Sequence, residues 1–282
     1  MKNEVLYDLT THDLGGLIAH FGLSEKDIFS FFYQSSLTGS KSDAKSFLQY
    51  FKIDSEKVLE KDIFLTSLHV TTSEDCLASI KKWGIVNLQD AITLDTSLKK
   101  HLLSYGLLFS IEEKALFYKG KKIDISQEYT ANLENPIQWI IYKLFIDYSI
   151  TSFFSVEDAT EYLGKVHERP EFLKNVFELI DEPNLIDDWL FKTECYIIKY
   201  RSNLENFSEE SFNIDLRRVD FNSSNNIELQ KRLWVINKAL ENQKYGYKEM
   251  FFSYMKENIS IPYTDFISVY NIAEYKESYK IL

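Results

Sequence analysis

Apolar residues recur at helical spacing near the start of the chain. One run has the spacing i, i+3, i+4 and i+7 and ends before Gly22: Leu14, Leu17, Ile18 and Phe21. A second run begins at Ser24, with Asp27 in the position of a capping box. These features predict two short helices over residues 11–34. A Ser-rich linker and a further aromatic helix through Phe47 complete a predicted helical N-terminal appendage of residues 1–60.

The pattern changes at Ile63. Residues 63–71 are rich in β-branched and aromatic side chains and predict a strand. A short helix over 74–83 follows this strand, and Gly84 closes the helix. We therefore expect a second, larger domain over residues 61–282.

Helices and strands are interspersed through this larger domain, which predicts the α+β fold class. Lys119 and Gly120 predict the turn of a hairpin. Asn135 and Pro136 mark the start of a helix whose apolar face extends to Tyr148. The other predicted elements are a helix over 96–105, a strand over 150–154, helices through Tyr162 and over 172–180, a strand over 195–201, a polar excursion over 202–226, helices over 227–241 and 246–255, and strands over 258–261 and 266–270.

Composition places the chain among globular proteins. Its 282 residues are 45% hydrophobic and include nine Gly and four Pro, which excludes collagen-like and low-complexity chains. The 43 acidic residues outnumber the 32 basic ones, so the net charge is −11. Such a surface has no general attraction for phosphate backbones or anionic lipid, although a local pocket can still bind nucleic acid.

Cysteine usage and the N-terminus bear on the compartment. Cys76 and Cys195 are far apart, and neither has a His or Cys cluster near it. Neither a zinc site nor a disulfide framework is therefore expected. The chain starts without a basic leader and apolar run, and no apolar stretch approaches membrane-spanning length. We expect a cytoplasmic protein with no bound metal and no membrane association.

The sequence lacks the motifs of several large enzyme classes. It has no phosphate-binding GxxxxGK[ST] loop, no GxGxxG after a strand, no GxSxG, no HExxH and no EF-hand loop. P-loop nucleotide hydrolysis, Rossmann redox chemistry and serine-hydrolase chemistry lose support for this reason.

Three short stretches remain as candidates for chemistry. Strand alternation places Ser67, His69 and Thr71 on one face, and polar groups on a buried strand need partners. Tyr162 lies about two turns into a predicted helix after a strand, where its ring can cover the end of that strand. Glu257 stands at the start of a predicted late strand.

The order of these stretches resembles the ADP-ribosyltransferase fold of the histidine-tyrosine-glutamate type, found in bacterial toxins and poly-ADP-ribose polymerases. The resemblance covers roughly residues 63–272 and implies a split β-sheet core that grips NAD between two small sheets. It implies that His69, with Thr71 beside it, binds the NAD ribose and that Tyr162 stacks on the nicotinamide. It also implies that Glu257 hydrogen-bonds the 2′-hydroxyl of the nicotinamide ribose and supports an oxocarbenium-like transition state.

These residue types suit the chemistry that the resemblance implies. Cleavage of a glycosidic bond to a cationic leaving group builds positive charge on the ribose, and an ionised carboxylate stabilises that charge. An aromatic ring holds nicotinamide by stacking, and a neutral His can hydrogen-bond a ribose hydroxyl in either tautomer.

The sequence departs from the family pattern at two places. Phe153 and Phe154 stand in the middle strand where many members carry Tyr, and we assign Phe154 to that wall of the pocket. Met255 stands two residues before Glu257, so the paired glutamates of arginine-modifying members are absent. Glu194 also stands at the start of a predicted strand and is the alternative catalytic carboxylate to Glu257.

The resulting hypothesis is an NAD-dependent ADP-ribosyltransferase that modifies a protein or nucleic acid, as a toxin or phage-defence effector does. The appendage is expected to recognise the target or an inhibitory protein partner. One alternative is a non-catalytic protein-interaction component of a phage or phage-defence system. Another is a helix-turn-helix DNA-binding regulator that uses residues 11–34, although the second of these helices carries one Lys and no Arg.

Overall fold

The fold was analysed in a computed structural model that describes residues 4–132, 134–214, 224–245 and 249–281. The α-helices of this part are α1 (Gly15–Phe21), α2 (Glu25–Thr38), α3 (Ala44–Phe51), α4 (Ser55–Leu59), α5 (Ala78–Trp83), α6 (Leu88–Thr93), α7 (Ser97–Ser104), α8 (Pro136–Phe145), α9 (Glu171–Leu179), α10 (Leu185–Lys192), α11 (Ser224–Tyr245) and α12 (Ile272–Tyr279). Its strands are β1 (Glu4–Tyr7), β2 (Asp62–Ser73), β3 (Leu107–Ser110), β4 (Ala115–Tyr118), β5 (Lys121–Asp124), β6 (Thr151–Ser155), β7 (Glu194–Asn203), β8 (Phe251–Tyr254) and β9 (Phe266–Tyr270). Most strand pairs are antiparallel, so the predicted α+β class is confirmed.

The chain forms two compact units. The first comprises Met1–Leu68, Thr151–Glu157 and Lys199–Tyr254, and the second comprises the remaining segments. The long strands β2 and β7 each contribute residues to both units. The predicted boundary between residues 60 and 61 falls inside the first unit. The division into an appendage and a larger domain stays a prediction.

In the first unit, β8, β6, β2 and β7 are neighbours in that order. Leu68 of β2 pairs with Phe153 of β6, which pairs in turn with Phe252 of β8. Strand β1, which the sequence analysis did not predict, runs parallel to the start of β2. Helices α1 and α2 confirm the predicted helical pair. Both pack against Phe47 of α3, whose ring centroid lies 5.8 Å from that of Phe21 and 5.4 Å from that of Phe31.

A half-buried carboxylate ties three segments of the first unit together. Asp8 accepts hydrogen bonds from the Thr66 hydroxyl at 2.7 Å, from the Thr10 hydroxyl at 2.6 Å and from Lys199 Nζ at 2.5 Å. Burial by itself would raise the pKa of Asp8, but Lys199 and the hydroxyl donors outweigh that effect and hold the pKa below its ordinary value. The charge of this half-buried carboxylate is therefore balanced by Lys199 and the hydroxyl donors.

The second unit contains a three-stranded antiparallel sheet in the order β3, β4, β5. Lys119 and Gly120 form the β4–β5 turn with positive φ, as predicted. The core of this unit is formed by helices α7, α8, α9 and α10 and by the sheet, with Trp189 and Phe177 among its fully buried side chains. Strand β9 is the neighbour of β7.

The structure corrects three predicted elements. Phe251–Tyr254, assigned to a helix over 246–255, is strand β8, because these residues pair with β6; residues 246–248 lie outside the described residues. The predicted strand over 258–261 is wrong, since only Ile261 forms a bridge, with Ile85. The polar excursion over 202–226 includes the end of β7 and short 3-10 helices at Leu204–Asn206 and Glu209–Phe212, and residues 215–223 of it lie outside the described residues.

A buried histidine makes the stability of the first unit depend on pH. The His20 ring is fully buried, its Nδ1 lies 2.8 Å from the Tyr7 hydroxyl, and it stacks on Phe21. Burial, and then the positive charges of Arg232 and Lys61, lower the pKa of His20 to about 4. The folded chain therefore keeps this imidazole neutral well below pH 6.5.

We predict that the first unit loses stability as the pH falls from 7 to 5. The unfolded chain takes up a proton at His20 in this pH range, whereas the folded chain does not. The free energy of unfolding of the first unit therefore falls by about 2 kcal/mol. His20→Gln should remove this share of the pH dependence in urea unfolding curves. His12→Gln, which removes an exposed histidine, is the control. Equal pH dependence in the wild type and in His20→Gln would contradict the prediction.

Candidate functional site

The strand that carries His69 and Thr71 has two different faces within the second unit. Val70 and Thr72 are buried, whereas His69 and Thr71 are half-buried and point to the other face. The predicted strand is confirmed and extends to Ser73. His69 and Thr71 therefore lie side by side on the more accessible face of β2.

The buried face of β2 is fixed by a tryptophan. Trp189 Nε1 on α10 donates a hydrogen bond to the Thr72 hydroxyl at 3.1 Å. The His101 ring packs edge-on against Trp189 with ring centroids 4.7 Å apart, and its Nδ1 lies 3.4 Å from Glu74. Burial lowers the pKa of His101, while Glu74 and Asp188 oppose that shift. These contacts restrain the end of the strand that carries His69 and Thr71.

The turn after β2 has a strained backbone. Cys76 and Leu77 are consecutive non-glycine residues with positive φ, at 51° and 64°. The Ser73 hydroxyl accepts from the Leu77 N–H at 3.0 Å, and the Asp75 carboxylate accepts from Ser79 N–H at 2.9 Å. Because these side chains hold the turn, the helix begins at Ala78 and not at residue 74 as predicted.

Glu257 lies in a turn held by contacts from distant parts of the second unit. The Tyr148 hydroxyl donates to the Glu257 carboxylate at 2.8 Å, and Asn87 Nδ2 donates to the Glu257 carbonyl at 3.3 Å. The Met255 N–H bonds to the Ile150 carbonyl on one side of the turn, and the Ile261 bridge holds the other side. Glu257 is thus an exposed carboxylate on a well-fixed turn, not the first residue of a strand.

The close approach of Gly84 to Ile261 requires a glycine. Gly84 has a φ of 81°, and a β-carbon at this position would overlap the Ile261 carbonyl. The Ile85 N–H donates to the Ile261 carbonyl at 2.9 Å, and the Ile261 N–H donates to the Ile85 carbonyl at the same distance. The Gly that closes the predicted helix therefore also brings the segment after β2 against the segment after Glu257.

The prediction that Tyr148 lies on the apolar face of a helix is wrong. Helix α8 ends at Phe145, so Tyr148 is not part of its apolar face. Burial raises the pKa of Tyr148, and the hydrogen bond to Glu257 adds to that shift. Nothing in the sequence distinguishes this residue among 18 Tyr, because its partner is more than a hundred residues away.

Glu194 is the first residue of β7 and is also exposed. Its carboxylate accepts a hydrogen bond from the Tyr196 hydroxyl at 2.7 Å. That hydrogen bond, together with burial, raises the pKa of Tyr196 to about 12. The contact joins two residues of the same strand, in contrast to the long-range contact of Glu257.

Tyr162 lies at the end of a short 3-10 helix. This helix, Ala159–Glu161, replaces the longer helix predicted there, because Asp158 caps it and the Tyr275 hydroxyl accepts from the Ala159 N–H at 3.1 Å. Tyr162 is half-buried, and burial followed by the charge of Glu171 raises its pKa. A β-carbon at Gly164 would overlap the Tyr162 ring and the Glu171 carboxylate. Tyr162 is therefore closely surrounded.

Phe154 belongs to the core of the first unit, which corrects its assignment to a cofactor pocket. Its ring is fully buried, with centroids 4.9 Å from Phe207 and 5.6 Å from Trp234. A ring packed in this way offers no face to a ligand. The other candidates, His69, Thr71, Tyr162, Glu194 and Glu257, all belong to the second unit.

Comparisons with known protein families, with curated proteins and with solved structures find no match for this chain. Among the described residues, no three His, Cys, Asp or Glu side chains form a group that could hold a metal ion. No helix in that part of the chain has the length and apolar character needed to cross a bilayer. The candidate site is therefore interpreted from its own contacts.

We predict that Thr72→Val destabilises the second unit by about 1–3 kcal/mol, because it leaves the Trp189 N–H buried without an acceptor. Thr72→Ser keeps the hydroxyl and is the matched control, with a loss of about 1 kcal/mol or less. Thermal and urea unfolding followed by tryptophan fluorescence measure both variants. Equal stability of the valine and serine variants would contradict this account.

Proposed function

We propose that this chain is an NAD-dependent ADP-ribosyltransferase with a macromolecular acceptor. The observation that carries the proposal is the exposed Glu257 carboxylate, which the Tyr148 hydroxyl holds at 2.8 Å on a turn fixed from both sides. A fixed carboxylate at a reaction site stabilises developing positive charge without the cost of reorienting itself. The split β-sheet core of this enzyme class is part of the same proposal.

Glu257 stabilises the ribose while the bond between the ribose and nicotinamide breaks. NAD supplies an ADP-ribosyl group whose glycosidic carbon becomes electrophilic when nicotinamide leaves with the bonding electrons. The ionised Glu257 carboxylate lies against the cationic ribose and accepts a hydrogen bond from its 2′-hydroxyl. A nucleophilic atom of the acceptor then forms the new glycosidic bond and loses its proton to solvent.

His69, Thr71 and Tyr162 are the residues that we propose to hold NAD. His69 and Thr71 present an imidazole and a hydroxyl side by side on the accessible face of β2, where ribose hydroxyls can pair with both. Tyr162 is half-buried, so one part of its ring packs in the protein and another part can stack on nicotinamide. All three belong to the same compact unit as Glu257.

The geometry favours Glu257 over Glu194 as the catalytic carboxylate. Tyr148 and Asn87 approach Glu257 from separate parts of the chain, so tertiary structure fixes its position. Glu194 is held only by Tyr196 among the described contacts, two residues along the same strand. A carboxylate oriented by long-range contacts is the better preorganised group for transition-state stabilisation.

The DNA-binding alternative finds little support in α2. Ile28 and Phe31 of this helix are buried, and its exposed side carries Phe29, Tyr33 and Leu37 together with Lys26 and Gln34. Base-edge recognition uses Arg, Asn, Gln or Lys on the exposed face of a recognition helix. Only Lys26 and Gln34 on this side are of those types, and the large apolar side chains beside them suit contact with protein better than contact with a DNA groove.

We predict that Glu257→Gln lowers nicotinamide release from NAD at least about 100-fold, because the amide cannot stabilise a cationic ribose. Glu194→Gln is the matched control and should stay within about threefold of the wild type. The assay incubates the full chain with labelled NAD and a whole-cell extract, and follows label on protein and nucleic acid separately. A thermal shift with NAD reports binding independently of turnover.

The same assay contains the results that would overturn the proposal. Loss of activity in Glu194→Gln, with Glu257→Gln active, would move the catalytic role to Glu194. No nicotinamide release, no label and no thermal shift with NAD would reject the enzyme and favour an interaction protein. Labelled protein or labelled nucleic acid would identify the class of acceptor.

Tyr148→Phe should lower the rate of nicotinamide release about tenfold. The variant removes only the hydroxyl that orients Glu257, and a hydrogen bond to a charged group contributes about 1.5 kcal/mol. Tyr196→Phe removes the equivalent hydroxyl beside Glu194 and should leave the rate unchanged. Equal effects of the two variants would mean that orientation of Glu257 by Tyr148 is not required.

A further inference from the structure

Helix α5 ends in a tryptophan that is held at the surface of the second unit. Trp83 is the last residue of the helix and is 37% exposed. Its Nε1 group donates to the Asp95 carbonyl at 3.4 Å, and Lys82 Nζ lies 4.5 Å from the centroid of its ring. The indole is therefore fixed at the surface and is in contact with a positive charge.

The charges around Trp83 are positive, in contrast to those of the chain as a whole. The Asp95 carboxylate lies 3.8 Å from Lys82 Nζ and 3.3 Å from Lys100 Nζ, so two ammonium groups flank one carboxylate. Lys81, in the same turn of α5, is also exposed. Even with Asp75, which lies near Lys100, these three lysines outnumber the two carboxylates, whereas the whole chain has a net charge of −11. We call Lys81, Lys82, Trp83 and Lys100 the Trp83 cluster.

The Trp83 cluster adjoins the turn that carries Glu257. Gly84 follows Trp83 directly and packs so closely against the Ile261 carbonyl that a β-carbon would overlap it. Asn87 Nδ2 donates to the Glu257 carbonyl at 3.3 Å. The segment that follows α5 therefore contacts the Glu257 turn on both sides of the carboxylate.

That turn contributes a second exposed aromatic ring and a further lysine. Tyr263 is 48% exposed, and its ring packs edge-on against Phe266 with centroids 5.1 Å apart. Lys256 directly precedes Glu257 and is exposed. Lysines and accessible aromatic rings from two separate segments thus lie beside one carboxylate.

We propose that the Trp83 cluster binds single-stranded nucleic acid and that this strand is the acceptor. Unpaired bases stack on accessible aromatic rings, while lysines contact the phosphates between them. A duplex keeps its bases stacked on one another, and an acidic peptide has charge but no planar bases for the indole. Aromatic rings combined with local positive charge therefore favour an unpaired strand. The binding is independent of NAD, and the role as acceptor rests on the proposed function.

The transfer step places the strand on the ribose of NAD. Nicotinamide leaves with the electron pair of the broken glycosidic bond. A nitrogen or oxygen atom of the bound strand then uses its lone pair to form the new bond to the same ribose carbon, and the proton of that atom goes to solvent. Glu257 stabilises the positive charge of the ribose between these two events.

Fluorescence anisotropy of a labelled DNA strand of about 12 nucleotides, titrated with the full chain in the absence of NAD, tests the binding. The wild type should bind with a dissociation constant of about 1–100 µM, and added salt should weaken the complex. A duplex of the same sequence and polyglutamate should each bind at least about tenfold more weakly.

Two variants separate the stacking from the charge. Trp83→Ala should raise the dissociation constant about tenfold, and Trp83→Phe, which keeps a ring, should recover most of the affinity. Lys82→Glu should raise it at least about tenfold and reduce its dependence on salt. Lys121→Glu makes the same charge change at an exposed lysine of β5 and should bind as the wild type does. Circular dichroism and thermal unfolding show that the variants remain folded.

Three results would overturn the proposal. The first is a wild type that does not bind the strand up to about 0.5 mM protein. The second is equal binding of the strand, the duplex and polyglutamate, or equal binding by the wild type, Trp83→Ala and Lys82→Glu. The third is nicotinamide release with label on protein and none on nucleic acid, which rejects the strand as acceptor and leaves the enzyme intact. Strand binding without nicotinamide release would reject the proposed enzyme and support the binding surface.

Discussion

Several polar side chains of β2 are buried and need hydrogen-bond partners away from water, and this constraint shapes the surroundings of the strand. The buried Thr66 donates to Asp8, whose charge Lys199 balances. Thr72 accepts from Trp189, and Ser73 pairs with Asp75. An unsatisfied buried polar group costs about 1–3 kcal/mol, so these partners are a condition of placing such a strand in the interior.

The same contacts make β2 a rigid support for the two residues that remain accessible. His69 and Thr71 alternate with buried neighbours, so restraining Thr72 and Ser73 also restrains their position. Glu257 is positioned by a different device, a turn held by Tyr148, Asn87 and the Ile85–Ile261 bridge. In both cases the position of a more accessible polar side chain depends on buried or long-range contacts beside it.

The first unit contributes a different kind of surface. Its aromatic residues pack tightly around Phe31 and Phe47 on the inner side of α2, yet Phe29, Tyr33 and Leu37 of the same helix remain exposed. The helix is anchored by its own core and needs no partner for its fold. These three side chains form an apolar face that the fold of the first unit does not use.

The sequence by itself determined the elements whose signals are local. The capping box at Ser24, the Lys119-Gly120 turn and the Asn135-Pro136 helix start all lie where the sequence predicted them, because each depends on neighbouring residues. Tertiary structure decided that Phe251–Tyr254 is a strand and that Tyr162 follows a 3-10 helix, since the pairing with β6 and the hydrogen bond from the Ala159 N–H to Tyr275 come from distant segments. It also decided that Phe154 is core and that Tyr148 holds Glu257. Burial and side-chain partners depend on contacts across many residues of sequence, which no local pattern records.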